Sequence, residues 1–146
     1  MCMEVNKKTW EEKQDKAYFY GKLTGETYDE KGKFINRLKL MWIAEENQDK
    51  IEFGVTKFLD KIKEKDIPER FKNGLLYTEE LCTKMDYKYM ISIDGNISPW
   101  GRTPNILYAN AVPLIVQSKF TPLNSRHWVP MVHFVPVKHD LSDLLD

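Results

Sequence analysis

The chain has 146 residues, within the usual range for one domain and too few for two full-sized ones. Its 22 lysines and arginines balance 22 aspartates and glutamates, so no net field recommends nucleic acid or a membrane surface as a partner. With 42% apolar and 30% charged residues the composition is globular, and no apolar run approaches the roughly 20 residues that span a bilayer.

The elements follow in chain order. Ala17 to Leu23, AYFYGKL, reads as an aromatic-rich strand that ends in the turn-like TGETYDEKGK. Phe34 to Glu46 carries Ile35, Leu38, Met41 and Trp42 at helical spacing. IEFGV, Ile51 to Val55, is a short strand, and Phe58 to Lys65 reads as a helix stopped by Pro68. Thr78, Glu80 and Leu81 suggest a further short helix with a capping residue at its start. The strand Tyr87 to Ile93 runs into DGNISPWGR, after which Thr103 and Pro104 offer an N-cap and a first-turn proline to the helix NILYANA. Val112 to Gln117 is apolar enough for a strand buried on both faces. MVHFVPV is a last apolar piece, and HDLSDLLD reads as the first turns of a helix. Strands alternating with helices predict an α/β fold with a largely parallel sheet.

Cys2 and Cys82 are the two cysteines, with no CxxC, and two isolated cysteines suit a reducing compartment. His127, His133 and His139 recur every six residues, which matches no metal-ligand spacing, so no metal is expected. The opening MCMEVNKKTWEEK lacks the apolar core of a signal peptide, and the compartment stays open.

The abrupt end of YKYMISI in Asp94, Gly95 and Asn96 poses the functional question. In an open parallel sheet, ligands bind where strands end and loops lead into helices. Gly95 and Gly101 allow close approach of the backbone, and the helix start near Pro104 favours an anion. Arg102 is placed to make a bidentate phosphate contact, and Trp100 offers a flat face to a base or sugar ring. A structural turn fits the same residues, with Asp94 as its cap, Trp100 in the core and Arg102 in a surface ion pair. A hairpin fits less well, because no second strand of matching register follows.

Motif content adds to this pattern. YKYMISIDGN, W-G-R, AVPLIV and MVHFVPVKHDLSDLLD, in that order, resemble the signature series of glycosyltransferase family 90, and TWEEKQDKAYFYGKLTG resembles the family's W-x-x-K…F-x-R-G-x-x-T-G segment. The family includes the Rumi-type protein O-glucosyltransferases, capsule-associated xylosyltransferases and lipopolysaccharide-modifying transferases. The resemblance implies a Rossmann-like domain similar to the C-terminal half of a GT-B enzyme. It also implies a nucleotide-sugar donor, commonly a UDP-sugar, with transfer to a hydroxyl of a protein or glycan acceptor and no bound metal or other cofactor. Carried onto this chain, Gly21, Thr24 and Gly25 line the phosphate and sugar side, and Asp94, Gly95, Asn96, Trp100 and Arg102 form the donor loop. Asp140, Ser142 and Asp143 either open a helix that closes the pocket or serve only as its N-terminal capping residues.

The chain departs from the family pattern in three ways. Tyr20 stands where the F-R-G segment has arginine, leaving Lys22 as the nearby charge. Pro122 falls about where a W-x-E-F-F-Y stretch has its glutamate. Family members are longer, with an acceptor-binding half that carries the catalytic aspartate, so the resemblance implies a single, partial domain. No catalytic base is nominated here, Asp94 being the one candidate at the right sheet edge. The alternative is a non-catalytic sugar-nucleotide or glycan-binding module, or a structural remnant, of the same family.

Overall fold

The computed structural model describes residues 8–58, 61–72, 86–99, 101–120 and 126–146. Among them, five strands form one wholly parallel sheet: β1 (Gln14–Lys22), β2 (Ile51–Lys57), β3 (Tyr87–Ser92), β4 (Val112–Val116) and β5 (Val135–Val137). Their spatial order is β2-β1-β3-β4-β5. The helices are α1 (Asn36–Glu46), α2 (Glu69–Lys72) and α3 (Arg102–Tyr108). This is the expected α/β architecture, a Rossmann-like parallel sheet with flanking helices.

Successive side chains of a strand point to opposite faces, so a central strand feeds two cores. Ala17 and Phe19 of β1 join Leu38, Met41 and Ala44 of α1 in the larger core, with Phe53, Ile91 and Val116 from neighbouring strands. Tyr18 turns the other way and meets Met90 and Ile106 of α3. Ring pairs fill both layers: Phe19 stacks on Phe53 with centroids 4.9 Å apart, and Tyr18 on Tyr87 at 4.5 Å. Burial on both faces explains why β1 and β3 carry aromatic and branched residues without strict alternation.

The chain passes from β1 to β2 on one side and returns to β3 on the other. The loops after β1 and β3 therefore start side by side at the carboxyl end of the sheet and lead away in opposite directions, with a crevice at this reversal of strand order.

Three local expectations are corrected. The segment from Phe58 to Lys65 is no helix in its described residues: a 3₁₀ turn covers Glu64–Asp66, and Pro68 precedes α2 instead of stopping a helix. Its carbonyl accepts the Phe71 N–H at 2.9 Å, and a proline at a helix start sacrifices no needed donor. Helix α3 begins at Arg102 with Gly101 as N-cap, two residues earlier than the Thr103–Pro104 signal suggests. The HDLSDLLD tail forms successive turns, not a helix. There the carboxylate of Asp140 accepts the Ser142 N–H at 3.1 Å and that of Asp143 accepts the Lys138 N–H at 2.8 Å. Such side-chain bonds compete with helical ones, and Leu141 at φ +61° interrupts the helix outright. The helix expected around Thr78 lies outside the described residues, as do Cys2, Cys82 and Pro122.

Thr103 does not cap α3 because its hydroxyl is used elsewhere. It pairs with Ser92 Oγ at 2.9 Å, both buried, and so ties α3 to β3. Thr103→Val is expected to lower stability by about 1–2 kcal/mol in urea unfolding, since Ser92 keeps a buried hydroxyl without its partner. Adding Ser92→Ala should recover part of that loss. Strictly additive losses would refute the pairing.

Candidate functional site

The loops after β1 and β3 are knitted together by Arg37, a residue of α1. Its Nε donates to the Asp94 carbonyl at 3.0 Å and its Nη2 to the Ile93 carbonyl at 3.0 Å. Its Nη1 donates to the Lys22 carbonyl at 2.7 Å and to Thr24 Oγ1 at 3.0 Å. One guanidinium fork thus spans both strand ends, a task for which five fixed donors suit arginine and three mobile ones do not suit lysine. The Gly25 N–H adds a further bridge to Asn96 Oδ1 at 2.9 Å, and the Lys61 ammonium donates to the Gly25 carbonyl.

The backbones meet closely here. Gly25 has φ +89°, and a Cβ on it would stand 2.6 Å from the Gly95 carbonyl oxygen. A Cβ on Gly95 would in turn overlap Thr24 Oγ1 and lie 3.0 Å from Arg37 Nη2. Gly21 serves a different neighbour, since a Cβ there would stand 2.9 Å from Arg102 Nη2. The missing side chain lets Arg102 reach across the end of the sheet and lie over the Phe19 ring, 4.8 Å from its centroid. Arg37 approaches the same ring at 5.4 Å. Two guanidinium groups therefore share one aromatic ring at the mouth of the crevice.

The electrostatics of this pair are unbalanced. Burial pushes Arg37 down to about 10, with the like charge of Arg102 acting in the same direction and Asp94 opposing both. Burial also lowers Arg102, with Tyr18 and Tyr20 opposing it. Both groups remain cationic near neutral pH. Among the described residues, nothing accepts a hydrogen bond from the Arg102 guanidinium and no carboxylate pairs with it. Arg37 is buried and Arg102 half-buried, so two like charges sit side by side, and of the two only Arg37 has acceptors of its own among the described residues.

Two cavities flank the DGN loop. One, of about 370 Å³, is lined by Thr24, Arg37, Gly95, Asn96 and Arg102. The other, of about 260 Å³, has Glu26, Asn36, Asp94, Lys119 and His139 around it. The loop after β4 braces the second cavity: the Ser118 hydroxyl donates to Asp94 Oδ2 at 2.6 Å, and Lys119 faces Glu26 at 3.6 Å.

Of the residues singled out in the sequence, Gly21, Thr24, Gly25, Asp94, Gly95, Asn96 and Arg102 come together at this edge. Lys22 takes part through its carbonyl, while its side chain is exposed. Asp140, Ser142 and Asp143 line neither cavity; their bonds stay within the C-terminal turns, apart from the Asp140 carbonyl, which accepts from Lys39 at 2.6 Å. Trp100 lies outside the described residues. Arg37 escaped the sequence reading altogether. Its signal was present: Arg37, Met41 and Ala44 follow the i, i+4, i+7 spacing of the buried stripe, and a charge on such a stripe must find partners when it is buried. Helix α3 is seven residues long and starts at this same edge, with Arg102 as its first residue. Among the described residues, no group of three or more His, Cys, Asp or Glu side chains is placed to hold a metal ion, and no helix is long and apolar enough to cross a membrane.

The family model described as "Glycosyl transferase family 90" matches residues 1–146, the whole chain. The chain belongs to glycosyltransferase family 90. Relatives of this family-90 chain include "Protein O-glucosyltransferase 3" of Rattus norvegicus, 27% identical over 139 residues, which covers 94% of the chain and 24% of the relative. "Protein O-glucosyltransferase 2" of Danio rerio is 27% identical over 137 residues, covering 94% and 25%. "Uncharacterized protein 035R" of Invertebrate iridescent virus 3 is 28% identical over 151 residues, covering 94% and 13%. The family-90 chain thus spans about a quarter of the length of the O-glucosyltransferases it matches.

Proposed function

We propose that this family-90 chain holds a nucleotide-sugar donor, a UDP-sugar, for transfer of the sugar to a hydroxyl of a protein or glycan acceptor. The observation that carries this reading is the pair of guanidinium groups at the strand-order reversal, Arg37 buried and Arg102 half-buried over the same ring, with no acceptor for Arg102 among the described residues. Family membership and the O-glucosyltransferase names of distant relatives support sugar transfer as the chemistry.

In such a transfer the bond from the anomeric carbon to the β-phosphate oxygen breaks as the bond to the acceptor oxygen forms. The acceptor hydroxyl gives its proton to a base, and the departing diphosphate gains negative charge. Fixed donors aimed at that developing charge stabilise the transition state more than the ground state. Arg102 meets this need in our reading. Arg37 spends its donors on the loops and adds only its field. Asp94 has one carboxylate oxygen held by Ser118, and we give it no catalytic part.

Calorimetric titration of the chain with UDP and with UDP-glucose tests the proposal, beside an Arg102→Ala variant. Binding should weaken by roughly 1.5–3 kcal/mol in the variant, the range for a lost charged hydrogen bond. A well-folded chain that binds neither compound would refute the donor reading.

A further inference from the structure

The zero net charge of the whole chain conceals a division. Residues 95–139 hold four of the 22 lysines and arginines, all three histidines and none of the 22 acidic residues. With histidine neutral, that stretch carries +4 and the rest of the chain −4. The apolar surface is divided in the same way. Among the described residues eight large hydrophobic side chains are exposed, and seven of them fall in this stretch. Exposed apolar surface concentrated in this way marks an interaction site.

Five of the seven adjoin one rim. A cavity of about 380 Å³ lies against β3, β4 and β5, and Phe120 lines it. Pro130, between Val129 and Met131, and Ser98, next to Ile97, line it too. Met131 and Val132 stand out furthest, 75% and 72% exposed, on the turn that leads into β5. That turn is fixed by its own bonds. The Val129 carbonyl accepts the His133 N–H at 2.9 Å, and the Val129 N–H donates to His133 Nδ1 at 2.8 Å. The Met131 N–H donates to the Phe134 carbonyl at 2.8 Å. Met131 itself sits at φ +62°, where glycine or asparagine is the ordinary residue. A rigid convex knuckle thus presents aliphatic side chains to water.

We propose that this rim seats the protein on an anionic lipid surface, with Val129, Met131 and Val132 entering the interface and Arg126 meeting the headgroups. The inference is independent of the donor reading above. Arg126 is exposed and has no partner among the described residues. Lys119 faces Glu26 at 3.6 Å, an exposed pair that water screens. Asp94 is the acid at the cavity, and one of its oxygens already accepts the Ser118 hydroxyl. Apolar insertion and attraction to anionic lipid act together in interfacial binding. Other occupants fit less well. Two copies of this rim repel each other, because each brings the positive share of the charge. Protein interfaces draw their affinity from Trp, Tyr and Arg anchors in pockets, with valine under-represented. A fluid acyl boundary accepts methionine and valine without a matching pocket.

Sedimentation with vesicles tests this, comparing phosphatidylcholine alone with phosphatidylcholine mixed with phosphatidylserine. The chain should sediment with the mixed vesicles, and less so as added salt screens its charges. Met131→Asn combined with Val132→Ser should weaken this binding by about tenfold or more, the scale of one large apolar side chain kept out of the interface. Asparagine suits φ +62°, so this variant keeps the turn, with circular dichroism as the check. Arg126→Gln should weaken binding about fivefold. Lys31→Gln, exposed on the negative part of the chain, should leave it unchanged. Equal sedimentation with both vesicle types, or binding indifferent to the double variant, would overturn the proposal. A chain that ignores both vesicle types would overturn it as well. Self-association lost in the double variant, read by analytical ultracentrifugation, would then make the knuckle a contact between copies.

Discussion

Arg37→Leu lowers the unfolding free energy by about 3 kcal/mol and moves the thermal midpoint down by roughly 10 °C. The sign is not given by hydrogen bonds alone, since leucine also relieves a buried charge. The fall of the guanidinium to about 10 corresponds to roughly 3 kcal/mol of disfavour toward the charged form in the fold. Against that stand three backbone carbonyls, of Lys22, Ile93 and Asp94, and the Thr24 hydroxyl. The Ile93 acceptor is buried and the other three partly so; a buried acceptor left unpaired costs about 1–3 kcal/mol, so the four together outweigh the relief. Arg37→Lys keeps a charge and at most part of the fork, and falls between wild type and Arg37→Leu.

The pH dependence distinguishes this account from a titrating switch. A base whose folded value is lowered leaves the unfolded state holding more protons, and stability then rises with pH. For Arg37 that window opens only above about pH 10, where the folded guanidinium begins to lose its proton. The penalty for Arg37→Leu is therefore the same at pH 6 and pH 9. Denaturant titrations at both values check it, read as a shift in midpoint at constant slope. A loss below 1 kcal/mol would mean that water replaces the clamp.

Gly25→Ala is the second large effect, a loss of about 3 kcal/mol in unfolding free energy, accompanied on the proposed donor reading by weaker UDP binding. Two terms contribute. At φ +89° an L-residue is strained, and the new Cβ meets the Gly95 carbonyl oxygen at 2.6 Å and its carbon at 2.9 Å. Those backbone atoms directly follow the Asp94 carbonyl that Arg37 clamps, so neither loop yields cheaply, and overpacking of this kind costs about 1–3 kcal/mol. Gly32 separates the terms. It has φ +74° with nothing within 4 Å of its Cβ position, so Gly32→Ala reports the backbone strain alone, about 1 kcal/mol. Equal losses for the two variants would show that the loops part without resistance.

The element order was legible from local pattern. Apolar runs such as YKYMISI and VPLIV announce strands buried on both faces, the Leu38 and Met41 spacing announces α1, and their alternation specifies a parallel α/β sheet. The DGN loop was legible for the same reason: a long apolar strand must end at a sheet edge, and glycine and asparagine mark the end. Motif content identified the family.

Tertiary structure decided what fills that edge. The clamp joins Arg37 to Asp94, 57 residues away, and to Lys22, 15 residues away, and no local periodicity encodes a meeting across two crossovers. The position of Arg102 over Phe19 depends on the absence of a side chain at Gly21, a steric fact visible only once strand and helix are packed. The C-terminal turns depend on a contest between side-chain and backbone acceptors, which the Asp140 and Asp143 carboxylates win and which composition alone leaves undecided. Burial periodicity is written locally along a chain, whereas the pairing of charges and the fit of backbones depend on which distant segments the sheet brings together. For this protein the sequence alone determined the sheet, its order of elements and the family. The guanidinium pair at the crevice came from the packing.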